Sequence, residues 1–406
     1  MAAISALMPA WVSSVVRFSG TDTRVDARTG VAQGHKVQLW KQDPSVKAIG
    51  IRSSYIHTPI NKGPADDTIE IKGMPQVGPN ADGDFMYDNV THPKEFDAVH
   101  TFAVVRQVMT MFQRALKRMD VTDNFTWQWG SAPAKVYPHA GNTANAYYSR
   151  GQRSLKFFYF TPPGKSVNDR VYTTRSFDIV SHETGHAVLD GLKPGFLESW
   201  HPQTGGLHES FGDLSAIFTM LAQLDQCEAV IAESKTNLHD KTFFSAMAEE
   251  FGEALGRPMG LRNANNTLKL SDVSTEVHAI SQVFTGAIYD VLSDMFEDSL
   301  KLDSEDPAAT LFKTGEHLNA LLLSALIKSP DRNATYKDVA QNMIDIETNV
   351  RWKDFILKRF TEREVFGTTK LAAAEPQKLD WSDTCGTLKR REHQKLFNEA
   401  IRNAKA

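Results

Sequence analysis

The sequence predicts an α+β protein of two lobes, the first rich in strands and the second helical. Three observations carry this reading. Residues 1–85 alternate short β-type runs with turn clusters such as NKGPADD and GPNADGD. From Phe177 onward, apolar residues recur at helical spacing. Between the candidate helices of that second stretch, Pro194, Pro202, Pro258 and Pro330 punctuate the loops.

The elements follow in order. KVQLW (36–40), AIGIRSSYIH (48–57) and TIEIKG (68–73) read as strands, the last with half-buried alternation. Residues 95–119 read as a helix that closes on basic side chains, which suit a helix C-terminus. A second β stretch holds TWQWG, AKVYPH and residues 145–160. Helices are then expected at 177–190, 208–224, 241–255, 277–297, 308–328 and 336–347, with a last one at 388–403. The organisation expected is an extension over 1–85, an N-terminal lobe over 86–190, a helical lobe over 191–366 and a tail over 367–406.

With 406 residues, 41% apolar and 23% charged, the chain can bury a sizeable core and is neither disordered nor fibrous. A net charge of −4 argues against a protein-wide nucleic-acid surface. Cys227 and Cys385 are the only cysteines, so there is no disulfide framework, and a metal site must use histidine and carboxylate. No apolar run reaches the roughly 18 residues that cross a bilayer. The N-terminus lacks a basic region and is interrupted by Pro9, Ser13 and Ser14, a poor secretory signal. These features lead to the expectation of a cytoplasmic protein, or one exported by a route that reads no N-terminal signal.

The chemistry concentrates at His182-Glu183-Thr184-Gly185-His186. On a helix, positions i and i+4 share a face, so both imidazoles can reach one ion, and Glu183 can address a water beside it. Two neutral imidazoles with an open position suit catalytic zinc. Chance would produce H-E-x-x-H roughly 0.02 times in such a chain. A third ligand is needed, and the next helix offers Glu209 with Asp213 four residues on. That spacing lets Glu209 take the metal while Asp213 receives the N–H of a ligating histidine. His208 and His201 are rival ligands. His208 would point about 100° away from Glu209 on the helix, and His201 lies in a loop.

These motifs resemble, in order, those of the thermolysin-like gluzincins. SFDIVSHETGHAVLD (176–190) resembles the family's active-site helix and GGLHESFGDLSAIF (205–218) its glutamate helix. Asn145-Ala146-Tyr147-Tyr148 resembles the edge strand that binds an extended peptide. Val277-His278 resembles the pair that stabilises the oxyanion, and Gly260-Leu261-Arg262 the arginine that holds a substrate carbonyl. The match covers roughly residues 88–365. The resemblance implies a two-lobed metalloprotease fold and a zinc endopeptidase. Zinc would sit on His182, His186 and Glu209, with Glu183 as general base and His278 as oxyanion donor. Asp213 and Asp272 would orient the histidines. Asn145, Ala146 and Arg262 would hold the peptide, and Ile179, Val180 and Leu261 would wall an apolar pocket for the residue after the scissile bond.

The chain also departs from that family. Residues 187–208 separate His186 from Glu209, slightly more than usual, with the excess in LKPGFLESWHPQTGG. No tyrosine falls between 173 and 288, so the oxyanion tyrosine is missing, and Trp200 or His201 is nearest. Glu276 rivals Asp272 as partner of His278. The calcium carboxylates are mostly absent, leaving Asp178, so a structural calcium pair is not expected. Residues 1–85 are too short for the family's usual pro-domain, which suggests narrow specificity or regulation by export. Two other functions stay open: a silent zinc-binding module that recognises a peptide or protein, and an aminopeptidase on a related fold.

Overall fold

The computed structural model describes residues 34–119, 126–240, 242–254, 256, 260–302, 306–367 and 384–386. Over these it is a mixed α+β fold. The expected helix at 388–403 lies outside the described residues.

β1 (His35–Trp40) and β2 (Ile51–Ile56) form an antiparallel hairpin, with Trp40 opposite Ile51. The main sheet contains β3 (Ile69–Ile71), β4 (Ala134–Tyr137), β5 (Ala146–Ser149), β6 (Ser154–Phe157) and β11 (Thr384–Gly386), in the order β11-β5-β6-β4-β3. β3, β4 and β6 run parallel, whereas β5 is antiparallel to both its neighbours. Two short antiparallel pairs complete the strands: β7 (Tyr159–Phe160) with β8 (Val171–Tyr172), and β9 (Ala246–Met247) with β10 (Arg262–Asn263).

α1 (Pro93–Arg118) opens with proline in its first turn and ends on Lys117 and Arg118, which complement the dipole. Its buried face meets β1 and α2 (Phe177–Leu192). α2 carries H-E-x-x-H, and α3 (Pro202–Leu221) carries E-x-x-x-D. α3 packs against α2 on one side and α6 (Val277–Leu302) on the other. α4 (Leu224–Ser234), α5 (Glu249–Ala254), α7 (Pro307–Lys328), α8 (Tyr336–Ile346) and α9 (Val350–Glu362) complete the helical part. No single helix among the described residues is long and apolar enough to cross a membrane.

Several expectations change here. One buried apolar cluster runs from Val37 in β1 through α2 and α3 to Phe360 in α9. The described part of 1–85 is therefore built into the common core, with β3 in the main sheet and buried Lys41 paired to Asp225 of α4 at 2.9 Å. Of the helix expected at 241–255, only Glu249–Ala254 is helical; a turn and the two-residue strand β9 precede it. Thr242–Met247 are buried on both sides, β9 pairs with β10, and Ala248 at φ +53 breaks the chain before a short α5. α3 begins at Pro202, a turn and a half before the expected start at 208, because Pro202 suits a first helical turn. α9 was not anticipated. It is polar outside, buries Ile356 and Phe360 four residues apart, and is capped by the Asn349 side chain on Arg351 N. TWQWG forms a turn closed by a Trp127–Gly130 bridge rather than a strand.

Candidate metal centre

The site is assembled where α2 crosses α3. Two glycines permit this approach. A Cβ on Gly185 would fall on the Ser215 hydroxyl, and one on Gly212 would lie 2.6 Å from His182 Nδ1. Glycine at these positions therefore sets the helix separation, and with it the spacing of the ligand atoms.

His182, His186 and Glu209 are all buried, and their ligand atoms lie within 4.8 Å of one another. His182 Nε2 stands 3.6 Å from Glu209 Oε2, and His186 Nε2 stands 3.8 Å from Glu209 Oε1. These separations are too long for hydrogen bonds and suit donors that share an ion. His182 Nε2 is buried without a hydrogen-bond partner. Two imidazole nitrogens and one carboxylate thus form a group that could hold a metal ion, and the residues fit a divalent cation of intermediate softness.

The opposite nitrogens of both histidines are held. Asp213 Oδ1 lies 2.9 Å from His182 Nδ1. A carboxylate can only accept, so Nδ1 carries the hydrogen and Nε2 faces the ligand cluster. Burial alone would lower the His182 pKa, but Asp213 and Glu209 outweigh it and raise it to about 9. The pocket favours one positive charge at that point, which a proton or a metal ion can supply. His208, a rival ligand by sequence, packs behind His186 with its Nδ1 2.8 Å from His186 Nδ1. Burial lowers the His208 pKa to about 4, so the ring is neutral, and its hydrogen bond to His186 Nδ1 fixes the orientation of that ring. Burial, then the positive His182, also holds His186 well below the usual histidine range. For Glu209, burial opposes ionisation, but His278 beside it prevails and keeps its pKa well below the usual carboxylate range.

Arg262 is buried on Asp213. Its Nε donates to Asp213 Oδ1 and Oδ2 at 3.1 and 2.9 Å, and its Nη2 donates to Oδ1 at 2.6 Å. The β9–β10 pair fixes this guanidinium, which keeps Asp213 ionised despite burial. His278, at the start of α6, brings Nε2 to 3.2 Å from Glu209 Oε2. Its partner is Glu276, not Asp272. Glu276 Oε1 lies 3.0 Å from His278 Nδ1, while Glu276 Oε2 caps α6 through Ala279 N at 2.9 Å. Asp272 instead accepts from Lys269 N and closes its own 3-10 turn. Sequence distance hid this, since Asp272 is four residues further from the helix that carries the histidine.

Glu183 is buried, and its Oε2 accepts the Tyr148 backbone N–H of β5 at 3.0 Å. Tyr148 and Arg150 both reach Asp190 at the far end of α2, Tyr148 Oη at 2.5 Å. Asn145 folds its Oδ1 onto Ala146 N at 2.9 Å, just ahead of β5. Ile179, Val180 and Leu261 belong to the buried apolar core. Asp178 lies in the first turn of α2 and accepts from Ala248 N at 3.3 Å. Burial, then the neighbouring Asp43 carboxylate, push its pKa up to about 8. Trp200 is 46% exposed, and His201 occupies the N-cap position of α3.

Sequence reasoning missed the roles of His208, Tyr148, Gly185 and Gly212. The small residue inside each motif, Gly185 in H-E-T-G-H and Gly212 just before Asp213, was the available signal. No protein-family model matches this chain, and no curated protein matches it significantly.

Proposed function

We propose that the chain is a zinc endopeptidase, a divergent relative of the thermolysin-like gluzincins. The observation that carries this is the position of Glu183. It directly follows the ligand His182 on α2, and its carboxylate is hydrogen-bonded to the backbone of a strand near the sheet edge. A base tied at once to a metal-ligand helix and to a peptide-like edge suits attack on an extended chain.

His182, His186 and Glu209 would hold the ion, and zinc suits an N,N,O donor set with room for water and substrate. Zinc, when bound, supplies a Lewis acid for the carbonyl and a more acidic attacking water. Glu183 would take a proton from the attacking water onto its carboxylate and return it to the leaving amine. Glu276 accepts the Nδ1 hydrogen of His278 and favours the imidazolium; in that form Nε2 also carries a hydrogen and would donate to the carbonyl oxygen as negative charge develops there. Arg262, expected to hold a substrate carbonyl, is instead turned onto Asp213, so its part would be to steady the carboxylate that orients His182. Asn145 and Ala146 would align the peptide, whereas Ile179, Val180 and Leu261 are spent in the core rather than walling an open pocket.

A peptide-library digest tests the reading. Internal cleavage is expected from zinc-loaded protein, lost with a chelator and restored by zinc. Glu183→Gln should lower turnover by about 10²–10⁴-fold while still binding one zinc. Cleavage that persists in Glu183→Gln at the wild-type rate would sink the proposal.

A further inference from the structure

We propose that Thr384–Gly386 is an internal blocking strand, seated on the sheet edge where a substrate peptide would align. It rests on the peptidase reading of the same site and adds a mode of regulation to it.

β5 without β11 would be the edge of the main sheet. An open edge offers unpaired N–H and C=O groups to any extended chain, and this is how a peptide adds to a sheet. The edge here lies at the reacting centre, because Tyr148 N–H reaches the Glu183 carboxylate at 3.0 Å. β11 takes that position. It runs antiparallel to β5, with Thr384 opposite Ser149, Cys385 opposite Tyr148 and Gly386 opposite Tyr147. The segment also approaches α2, the helix that carries Glu183. A sheet edge accepts one strand at a time, so a substrate aligned along Tyr147–Ser149 competes with residues 384–386 for the same backbone groups. The competitor is part of the chain, so its local concentration is high, in the millimolar range typical of short tethers. The apparent affinity for an external peptide then falls by the fraction of molecules whose edge is open.

The register supplies the test. Ser149→Cys and Thr384→Cys place two thiols directly opposite one another in the full-length, zinc-loaded chain, with Cys385→Ser to prevent mispairing. The remaining native Cys227 is buried, and burial raises its pKa well above the usual thiol range. Oxidised glutathione should close the 149–384 bridge. The probe is a fluorescent peptide that copies residues 381–389 with serine at the position of Cys385. It should bind the oxidised protein at least about tenfold more weakly than the reduced protein, and hydrolysis of peptides from the library should follow the same switch. Ser149→Cys alone sets the baseline and should not respond to oxidation.

A bridge that fails to close, or one that closes without changing probe binding, overturns the proposal. Should the double variant fold poorly, Cys385→Pro in the full chain removes a backbone N–H from β11 and should tighten probe binding about tenfold; unchanged binding again overturns it. The two readings fail separately. Redox-insensitive hydrolysis removes the blocking strand and leaves the peptidase. Redox-dependent probe binding without hydrolysis in any form leaves the strand and removes the peptidase.

Discussion

On the helical side of the site, side chains are held by buried charge. Arg262 pins Asp213, Asp213 pins His182, and His208 backs His186. On the sheet side, the contact to Glu183 comes from a backbone amide, and the strand that provides it pairs with another segment of the chain. The first arrangement fixes geometry, since moving any member strands a buried charge. The second is exchangeable, because one extended chain can replace another along a sheet edge at little structural cost. Placement of the candidate ligands thus belongs to the helices, and access to them is what the proposed blocking strand would control.

Four measurements would break or sharpen that division, from the largest expected effect to the smallest. His278→Ala should lower kcat by about 10²–10³-fold with zinc content unchanged, because His278 acts on the substrate side of Glu209. Loss of zinc in this variant would move His278 into the ligand framework. Asp213→Asn should weaken zinc binding by about 10–100-fold, read by competition with a chromogenic chelator. It leaves Arg262 buried without its carboxylate partner, so undiminished zinc affinity would show that the helical side does not depend on that charge chain. Tyr148→Phe removes the hydroxyl bond to Asp190 at 2.5 Å. It should cost about 1–2 kcal/mol in denaturant unfolding and leave zinc affinity alone; a matching drop in zinc affinity would join the two sides.

The smallest effect is a slope. Asp178 has its folded pKa raised by burial to about 8, from the 3.8 usual for an aspartate. The unfolded chain therefore releases this proton first, and between those values the native state holds more protons. Stability attributable to this group falls as pH rises through that window, by at most about 1.4 kcal/mol per pH unit. Asp178→Asn keeps an acceptor for Ala248 N and cannot ionise, so its stability should fall less steeply from pH 5 to pH 8. Parallel curves for the two proteins would show that Asp178 is already charged in the native state.

Much of the helical side was legible in the sequence. The ligand pair at i and i+4, and Glu209 with Asp213 at the same spacing, are local patterns, and a helix converts such spacing into a shared face without outside help. α1, α2, α6 and α7 were legible for the same reason, since their apolar stripes are long and regular. The sheet side was harder. Thr242–Met247 is buried throughout, yet it forms a turn and then the two-residue strand Ala246–Met247 paired to Arg262–Asn263, and no local pattern distinguishes a short buried strand from a helix. α9 was passed over because its apolar face is narrow. Glu276 lost to Asp272 on sequence alone, although the two differ in which one begins the helix that carries His278.

The sequence by itself determined the residue types of the candidate metal centre: the two histidines and the glutamate that could hold an ion, the carboxylate beside them, and the histidine and arginine that accompany them. Those features are set by side-chain identity and by the 3.6-residue period, both of which act over a few residues. Only the tertiary structure decided who orients whom. His208 behind His186, Glu276 on His278, Arg262 on Asp213, and Thr384–Gly386 against Tyr147–Ser149 are contacts between separate elements or across a helix start. Such pairings depend on how closely elements approach, as Gly185 and Gly212 show where α2 meets α3, and helix separation is fixed by packing rather than by any local spacing in the chain.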